Sequence, residues 1–433
     1  MNRLQSVRGM HDVLPDEANP RRRIEHAWIE VAHGFGYEEI RFPLVESTTL
    51  FQRSIGETTD IVEKEMYTFD DRNGESLSLR PEGTAGCVRA AIQHGLVPNR
   101  QQRLWYLGSF FRHERPQKGR LRQFDQFGVE TFGMCGPDID AEILLLGWQG
   151  WQRLGLSPRL ILNTLGSPDE RIVWRKQLVE YFSRFESRLG EDDQRRLKAN
   201  PLRLLDSKSD SVQDLLEEAP HLEDSLGEES RTHFDGLRET LDAHGIDYTV
   251  DPRLVRGLDY YDLTVFEWVE NSLGAQSALG GGGRYDRLVE QLGGRPTPAA
   301  GFALGLERIG ECLEAEAAAA VDVYLVALGE DATARMRVLG MQLREQMPDL
   351  RIRMNMEAGS MKAQLRRADK SGARAVLIMG EEELRQRSVV LKFLRGPEEQ
   401  QTVLLDNTRS ALAEHFARLD HDHGFKSRRT AAT

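Results

Sequence analysis

Residues 103–133 read RLWYLGSFFRHERPQKGRLRQFDQFGVETFG. Two apolar, aromatic-rich runs flank Pro116-Gln117-Lys118-Gly119-Arg120, whose proline and glycine suit a turn. The pattern predicts two strands with a short hairpin joint, and therefore an antiparallel sheet. Arg112 ends the first strand, and Arg115, Lys118 and Arg120 occupy the connection. Guanidinium forks suit bidentate contact with phosphate oxygens, although a solvated hairpin tip carries the same residue types. On the return strand Gln126 and Glu130 lie an even number of residues apart and share a face, whereas Asp125 points to the other. An exposed face would leave Gln126 and Glu130 ordinary; a buried face would make them ligands for something rich in donors.

Outward from this hairpin, residues 20–47 (PRRRIEHAWIEVAHGFGYEEIRFPLVES) predict an amphipathic helix ended near Gly34 and Gly36. A strand interrupted by Pro43 follows, as expected of an edge or interface strand. Arg21-Arg22-Arg23 fits a solvated helix start better than a phosphate clamp. A second hairpin turns at Asn73-Gly74, and a helix runs through residues 84–96. Charged helical segments fill residues 168–245, after which strand signals return at 264–274 and 276–294. The helical block therefore reads as an insertion into one sheet domain, closed by a helix over residues 301–316. Past the small-residue linker AEAAAAV, alternating strand and helix patterns predict a separate, mostly parallel α/β domain.

Two further stretches carry unusual chemistry. Leu254–Asp262, LVRGLDYYD, puts Arg256, Asp259, Tyr260 and Tyr261 immediately before the strand-like LTVFEWV. Gly280–Asp286, GGGGRYD, lacks the spacing of a dinucleotide or P-loop fingerprint. Glycine inside a strand also permits close approach of a ligand or another backbone, leaving a floor for a small or flat substrate.

The 433 residues suffice for two or three domains. With 39% hydrophobic and 29% charged residues the composition is that of a soluble globular protein, and no apolar run is long enough to span a bilayer. Nothing at the N-terminus resembles a secretory signal, so a cytoplasmic protein with no membrane association is expected. Cys87, Cys135 and Cys312 are too few and too widely spaced for a disulfide framework or a CxxC zinc site, and are expected to be reduced, buried thiols. A net charge of -12 argues against gripping nucleic acid through overall charge, while leaving room for local basic patches.

Together these segments resemble the class II aminoacyl-tRNA synthetases, and within them the histidyl-tRNA synthetase family, over the chain to about residue 420. GFGYEEIRFPLVE resembles motif 1 with its Pro43, FRHERPQKGRLRQFDQFGVE motif 2, and GFALGLERI motif 3 ending in Arg308. LVRGLDYY and GGGRYD resemble the two signatures particular to the histidine enzymes, and LRPEGT their amino-acid-binding loop. Asp125 stands where close bacterial members carry histidine.

The resemblance implies an α+β fold: a class II antiparallel sheet flanked by helices over residues 1–320, with a helical insertion at about 168–245. A C-terminal α/β anticodon-binding domain would cover 321–424, leaving a disordered tail at 425–433. It implies a histidine–tRNA ligase that forms histidyl-adenylate from L-histidine and ATP, with Mg2+, and passes histidine to the 3′ end of histidine tRNA, acting as a homodimer. Arg256 and Arg112 would be catalytic, with Arg112, Arg120 and Arg308 holding ATP. Histidine would be held by Glu82, Gly83, Thr84, Gln126, Glu130, Arg256, Tyr260, Tyr261 and Tyr285. Within that set Tyr261 and Glu130 would read the two imidazole nitrogens, while Glu82, Thr84 and Gln126 take the α-ammonium group. Asp259 and Tyr260 would support Arg256 and the strand. The rival is a non-catalytic, histidine-sensing relative, a regulatory subunit of ATP phosphoribosyltransferase. Such relatives generally lack the C-terminal domain and have eroded motif residues, whereas Arg112, Arg256 and Arg308 are all present here.

Overall fold

Apolar residues alternate along the long central strands, and both faces of the resulting sheet are covered, one by helices and one by the candidate site. The computed structural model describes residues 3–56, 59–205, 207, 209–313, 321–357, 359–395 and 399–422. The alanine-rich linker up to Ala320 and the tail beyond residue 424 lie outside these. The chain forms two compact units, residues 1–315 and 316–433.

In chain order the first unit opens with helix α1 (Pro15–Gly34), strands β1 (Glu38–Glu39) and β2 (Val45–Ser47) and helix α2 (Thr48–Ile55). Strands β3 (Thr68–Asp70) and β4 (Ser76–Leu79), helix α3 (Thr84–Gln93), strands β5 (Gln102–Phe111) and β6 (Gln123–Phe132), helix α4 (Pro137–Leu154) and strand β7 (Arg159–Thr164) follow. Helices α5 (Pro168–Ser183), α6 (Glu191–Ala199), α7 (Asp210–Leu216) and α8 (Glu228–Ala243) precede strands β8 (Tyr248–Val250), β9 (Asp262–Val269) and β10 (Ala278–Arg284). Short helix α9 (Leu288–Gln291), strand β11 (Ala299–Gly305) and helix α10 (Leu306–Cys312) complete the unit.

Eight strands form one sheet in the order β1-β5-β6-β11-β10-β9-β7-β8. Its inner ladders are antiparallel, and only the outermost pairs, β1 with β5 and β7 with β8, are parallel. Strand alternation divides the residues cleanly. Trp105, Phe127, Val129, Phe266, Trp268, Phe302 and Leu304 face α1, α4, α8 and α10, with Trp28 of α1 packed edge-on to Trp151 at a centroid distance of 4.9 Å. Leu104, Tyr106, Phe110, Val265 and Ala299 take the opposite face, against α3 and the tyrosines of residues 260, 261 and 285.

Several expectations need correction. The stretch around Pro43 lies at sheet edges as expected, but as two short strands rather than one: β1 and β2 are each an edge strand of a different sheet and leave Pro43 in the connection, since proline offers no N–H to a ladder. Helix α1 begins at Pro15, a first-turn proline, so Arg21 lies inside the helix and is not a solvated start; it pairs with Asp125 and Glu307. Residues 299–305 form an inner strand, and the closing helix starts only at Leu306, because a run paired on both sides shows no amphipathic period. Cys87 is buried as expected, but Cys135 is exposed and Cys312 only half-buried. The helical block also divides. Trp174, Leu178, Phe182, Leu197, Leu204, Val212 and Leu216 form a core of their own from α5 to α7, whereas Phe234, Leu237 and Leu241 of α8 pack on the sheet.

The second unit contains β12 (Val323–Ala327), α11 (Glu330–Gln346), β13 (Ile352–Met354), α12 (Met361–Lys370), β14 (Ala375–Met379), α13 (Glu381–Arg385), β15 (Ser388–Phe393), β16 (Gln401–Leu404) and α14 (Thr408–Asp422). Its sheet, ordered β13-β12-β14-β15-β16, is parallel at one edge and antiparallel at the other. It is therefore mixed, not mostly parallel as its first three strands suggest.

Candidate active site

On the sheet face opposite α1 lies a cleft of about 970 Å³, counted to its open mouth, within the first unit. Glu82, Gly83, Thr84, Arg112, Arg120, Gln126, Arg256, Tyr260, Tyr261 and Arg308 all line it, so segments scattered over more than two hundred residues of sequence converge. Glu130 and Tyr285 lie behind this lining, bonded to each other.

One end of the cleft is a set of guanidinium groups. Strand β5 delivers Arg112, which donates from Nε to the Pro81 carbonyl at 2.8 Å and rests over the Phe124 ring at 5.5 Å. Arg120, on the hairpin connection, pairs with Glu114 and sits 4.0 Å from Glu65. Arg308, in the first turn of α10, donates to the carbonyls of Ala278 at 2.6 Å and Gly119 at 3.2 Å. Burial pushes Arg308 below the ordinary arginine value, and its cationic neighbours Arg120 and Arg112 push it further the same way. Anionic oxygens at this end would relieve both costs.

Arg256 occupies the middle and pairs with Glu267 of β9. It lies on the glycine floor of β10: a Cβ at Gly281 would sit 3.0 Å from Arg256 Nη1 and would also strike the Phe266 carbonyl. Glycine at 281 is what lets the guanidinium lie flat on the sheet. Arg256 Nε and the side-chain oxygen of Gln126 are buried without a hydrogen-bond partner. Two such groups facing one cleft are what a bound polar ligand would satisfy.

The other end is built from hydroxyls and carboxyls. Glu82 accepts from the backbone N–H groups of Thr84 (2.7 Å) and Ala85 (2.9 Å), capping α3. Glu130, fully buried, accepts from Thr84 Oγ1 at 2.7 Å and faces the hydroxyls of Tyr106 (3.1 Å) and Tyr285. Burial raises its carboxyl to about 8, although the Tyr285 and Thr84 hydroxyls favour the charged form. Tyr261 is pushed up to about 12 by burial, with Arg256 opposing, so it stays a hydroxyl. The Asp125 side chain points away from the cleft to Arg21, as strand alternation requires, while its backbone N–H donates to Glu307 at 3.0 Å.

Sequence reasoning did not single out Glu114, Glu267, Phe124 or Glu307, all of which line the cleft. Glu267 left a signal: it is a carboxylate between Val265 and Val269 on one face of a central strand. Glu114 left none, because its partner Arg120 lies across the hairpin.

The sheet, helices and converging motif residues are those of a class II aminoacyl-tRNA synthetase. Residues 9–168 and 171–309 match the histidyl-tRNA synthetase family, and residues 322–415 match the anticodon-binding domain family. The apo histidyl-tRNA synthetase of S. aureus superposes with a TM-score of 0.78 and 34% identity, over 95% of this chain and 100% of that one. A histidyl-tRNA synthetase from Nostoc sp. PCC 7120 shares the fold with a TM-score of 0.71 at 19% identity, over 96% of this chain and 100% of that one. A Bacillus halodurans protein described as an ATP phosphoribosyltransferase regulatory subunit/histidyl-tRNA synthetase shares it with a TM-score of 0.62 at 22% identity, over 87% and 98%. The chain belongs to the histidyl-tRNA synthetase family. It is a histidine–tRNA ligase.

Proposed function

We propose that the two ends of the cleft divide the substrates between them, ATP lying on the arginine end and histidine on the hydroxyl end. The observation that carries this reading is Arg256, which pairs with Glu267, sits beside Tyr260 and Tyr261, and has a buried Nε lacking a partner. A histidine carboxylate oxygen attacks the α-phosphorus of ATP, pyrophosphate leaves, and histidyl-adenylate forms. Negative charge builds on the α-phosphoryl oxygens, where the fixed charges of Arg112 and Arg256 stabilise it without reorganising. Arg120 and Arg308 hold the outer phosphates and the adenine region. A ribose hydroxyl at the 3′ end of histidine tRNA then attacks the histidyl carbonyl and releases AMP.

Tyr261 and Glu130 read the imidazole, which when neutral carries one donor and one acceptor nitrogen. Glu82, Thr84 and Gln126 hold the α-ammonium group beside Gly83, and Tyr260 and Tyr285 complete the walls. Among the described residues no group of three His, Cys, Asp or Glu side chains is placed to bind a metal ion. Mg2+ would be held chiefly by the ATP phosphates.

We also infer a homodimer acting in the cytoplasm. Leu44, Val45 and Phe69, on or beside the small β2-β4-β3 sheet, are large apolar residues left exposed on the single chain, as an interface would require. Sedimentation velocity at micromolar concentration should give twice the monomer mass. The unit beyond residue 320 binds the anticodon.

Pyrophosphate exchange into ATP tests the whole reading. Histidine alone of the twenty amino acids should support it, and a folded chain ending before Val321 should keep exchange while losing most tRNA charging. Exchange with another amino acid, or equal loss of both activities, would overturn the assignment.

A further inference from the structure

The loop of residues 253–261, which carries Arg256, Tyr260 and Tyr261, lies outside every strand ladder. Something else must fix its shape, because a free loop samples many backbone states and holding each residue in one costs conformational entropy. One set of the contacts that do so comes from the helical insertion. Val255 packs against the separate core of the helical insertion, alongside Leu202. The Asp259 carboxylate accepts from Asn200 Nδ2 at 3.1 Å and from Arg203 Nη2 at 3.3 Å, both in the insertion. Arg171 of α5 donates to the Tyr261 carbonyl oxygen. Positions 255, 259 and 261 thus bracket Arg256 and Tyr260.

The opposite side of the loop is seated on the body of the first unit. The Asp259 N–H donates to the Ile55 carbonyl at 3.2 Å, and its side chain lies over Gly56, where a Cβ would come 2.7 Å from Oδ2. Gly56 itself has φ of 102°, a backbone state that favours glycine. Asp259 is therefore the point at which α2, the insertion and the substrate-facing loop meet. Behind it is a pocket walled by Arg171, Arg175, Asn200 and Arg203 on one side and by Val255, Arg256 and Tyr261 on the other. The insertion meets the loop that bears the candidate catalytic arginine, with no third element between them.

We propose that the helical insertion positions this loop, with Arg203 and Asp259 as positioning residues that aim Arg256 and Tyr261, so that the insertion contributes to adenylate formation itself. The proposal rests on the placement of Arg256 between the two substrates and of Tyr261 at the imidazole given above. Its consequence is specific: with no tRNA present, loosening the insertion's grip should damage the use of histidine and the rate, and spare ATP.

The test is pyrophosphate exchange without tRNA on the full chain, comparing Arg203→Ala, Arg203→Lys, Asp259→Ala, the double variant Arg203→Ala/Asp259→Ala, and Arg256→Ala. Arg203→Ala should lower kcat/KM for histidine about tenfold, the scale of coupling carried by one positioning contact, while KM for ATP moves less than about twofold. Arg203→Lys should recover part of the loss, and the double variant should be no worse than Asp259→Ala alone, since both changes break one contact. A thermal melt within a few degrees of the parent keeps unfolding apart from mispositioning. Normal exchange in Arg203→Ala, equal losses for histidine and ATP, or multiplicative losses in the double variant would overturn the proposal while Arg256→Ala still fails. Normal exchange in Arg256→Ala would overturn the underlying site assignment, and the proposal with it.

Discussion

The two ends of the cleft are built from different materials, and on the proposed reading they meet different demands. At the hydroxyl end, Thr84, Tyr106 and Tyr285 surround Glu130, and backbone N–H groups hold Glu82, so most polar atoms there have a partner before any ligand arrives. At the arginine end the partners are carboxylates and carbonyls of the protein itself: Glu114 for Arg120 and the Ala278 and Gly119 carbonyls for Arg308, as Glu267 is for Arg256 in the middle. A small amino acid is discriminated by a rigid set of hydrogen bonds, whose mismatch leaves a buried group unpaired. A polyphosphate needs concentrated positive charge, and an empty site must balance that charge internally to remain folded.

The largest effect that would break this contrast lies at its boundary. Arg256→Ala should slow adenylate formation by about 10²–10³, the scale of losing one preorganised stabilising donor, with smaller changes in substrate affinity. Arg256→Lys should recover only part of the rate, because an ammonium lacks the planar fork. Single-turnover measurements at saturating histidine and ATP decide it, and a near-normal rate would make Arg256 a structural residue.

Next in size are Glu130→Gln and Tyr261→Phe. Each should cost about 1–3 kcal/mol of histidine binding, roughly 5- to 150-fold in Kd, and leave ATP binding unchanged. Titration calorimetry with each substrate separates the two, and equal losses would dissolve the division of the cleft.

The last effect concerns stability. Because burial raises the Glu130 carboxyl to about 8 from an ordinary 4.5, the folded protein binds this proton more tightly than the unfolded chain does. Its contribution is complete below about pH 4.5 and is lost as pH rises through about 8. Urea midpoints of the parent should therefore fall between about pH 5 and about pH 8, and those of Glu130→Gln should fall less. Parallel profiles would mean that Glu130 is ionised in the folded protein.

What was legible in the sequence was periodic or local. Alternation in residues 103–133 gave the β5–β6 hairpin and put Asp125 on the face opposite Gln126 and Glu130, and Asn73-Gly74 gave the turn between β3 and β4. Both patterns follow from the geometry of a few adjacent residues. Residues 299–305 misled for the same reason: a strand paired on both sides is apolar throughout, and its period vanishes.

The sequence by itself determined the split into two units, the shared sheet face of Gln126 and Glu130 and the residue types that line the cleft, since alternation, turn chemistry and motif spacing are written along the chain. Tertiary structure alone decided the pairings: Glu114 with Arg120, Glu267 with Arg256, Glu130 with the hydroxyls of Thr84, Tyr106 and Tyr285, and Asp259 with Asn200 and Arg203. The physical reason is that hydrogen bonds and ion pairs act over about 3–4 Å of space. The chain brings Asp259 within that distance of Arg203, 56 residues away, only by folding the insertion back onto the loop.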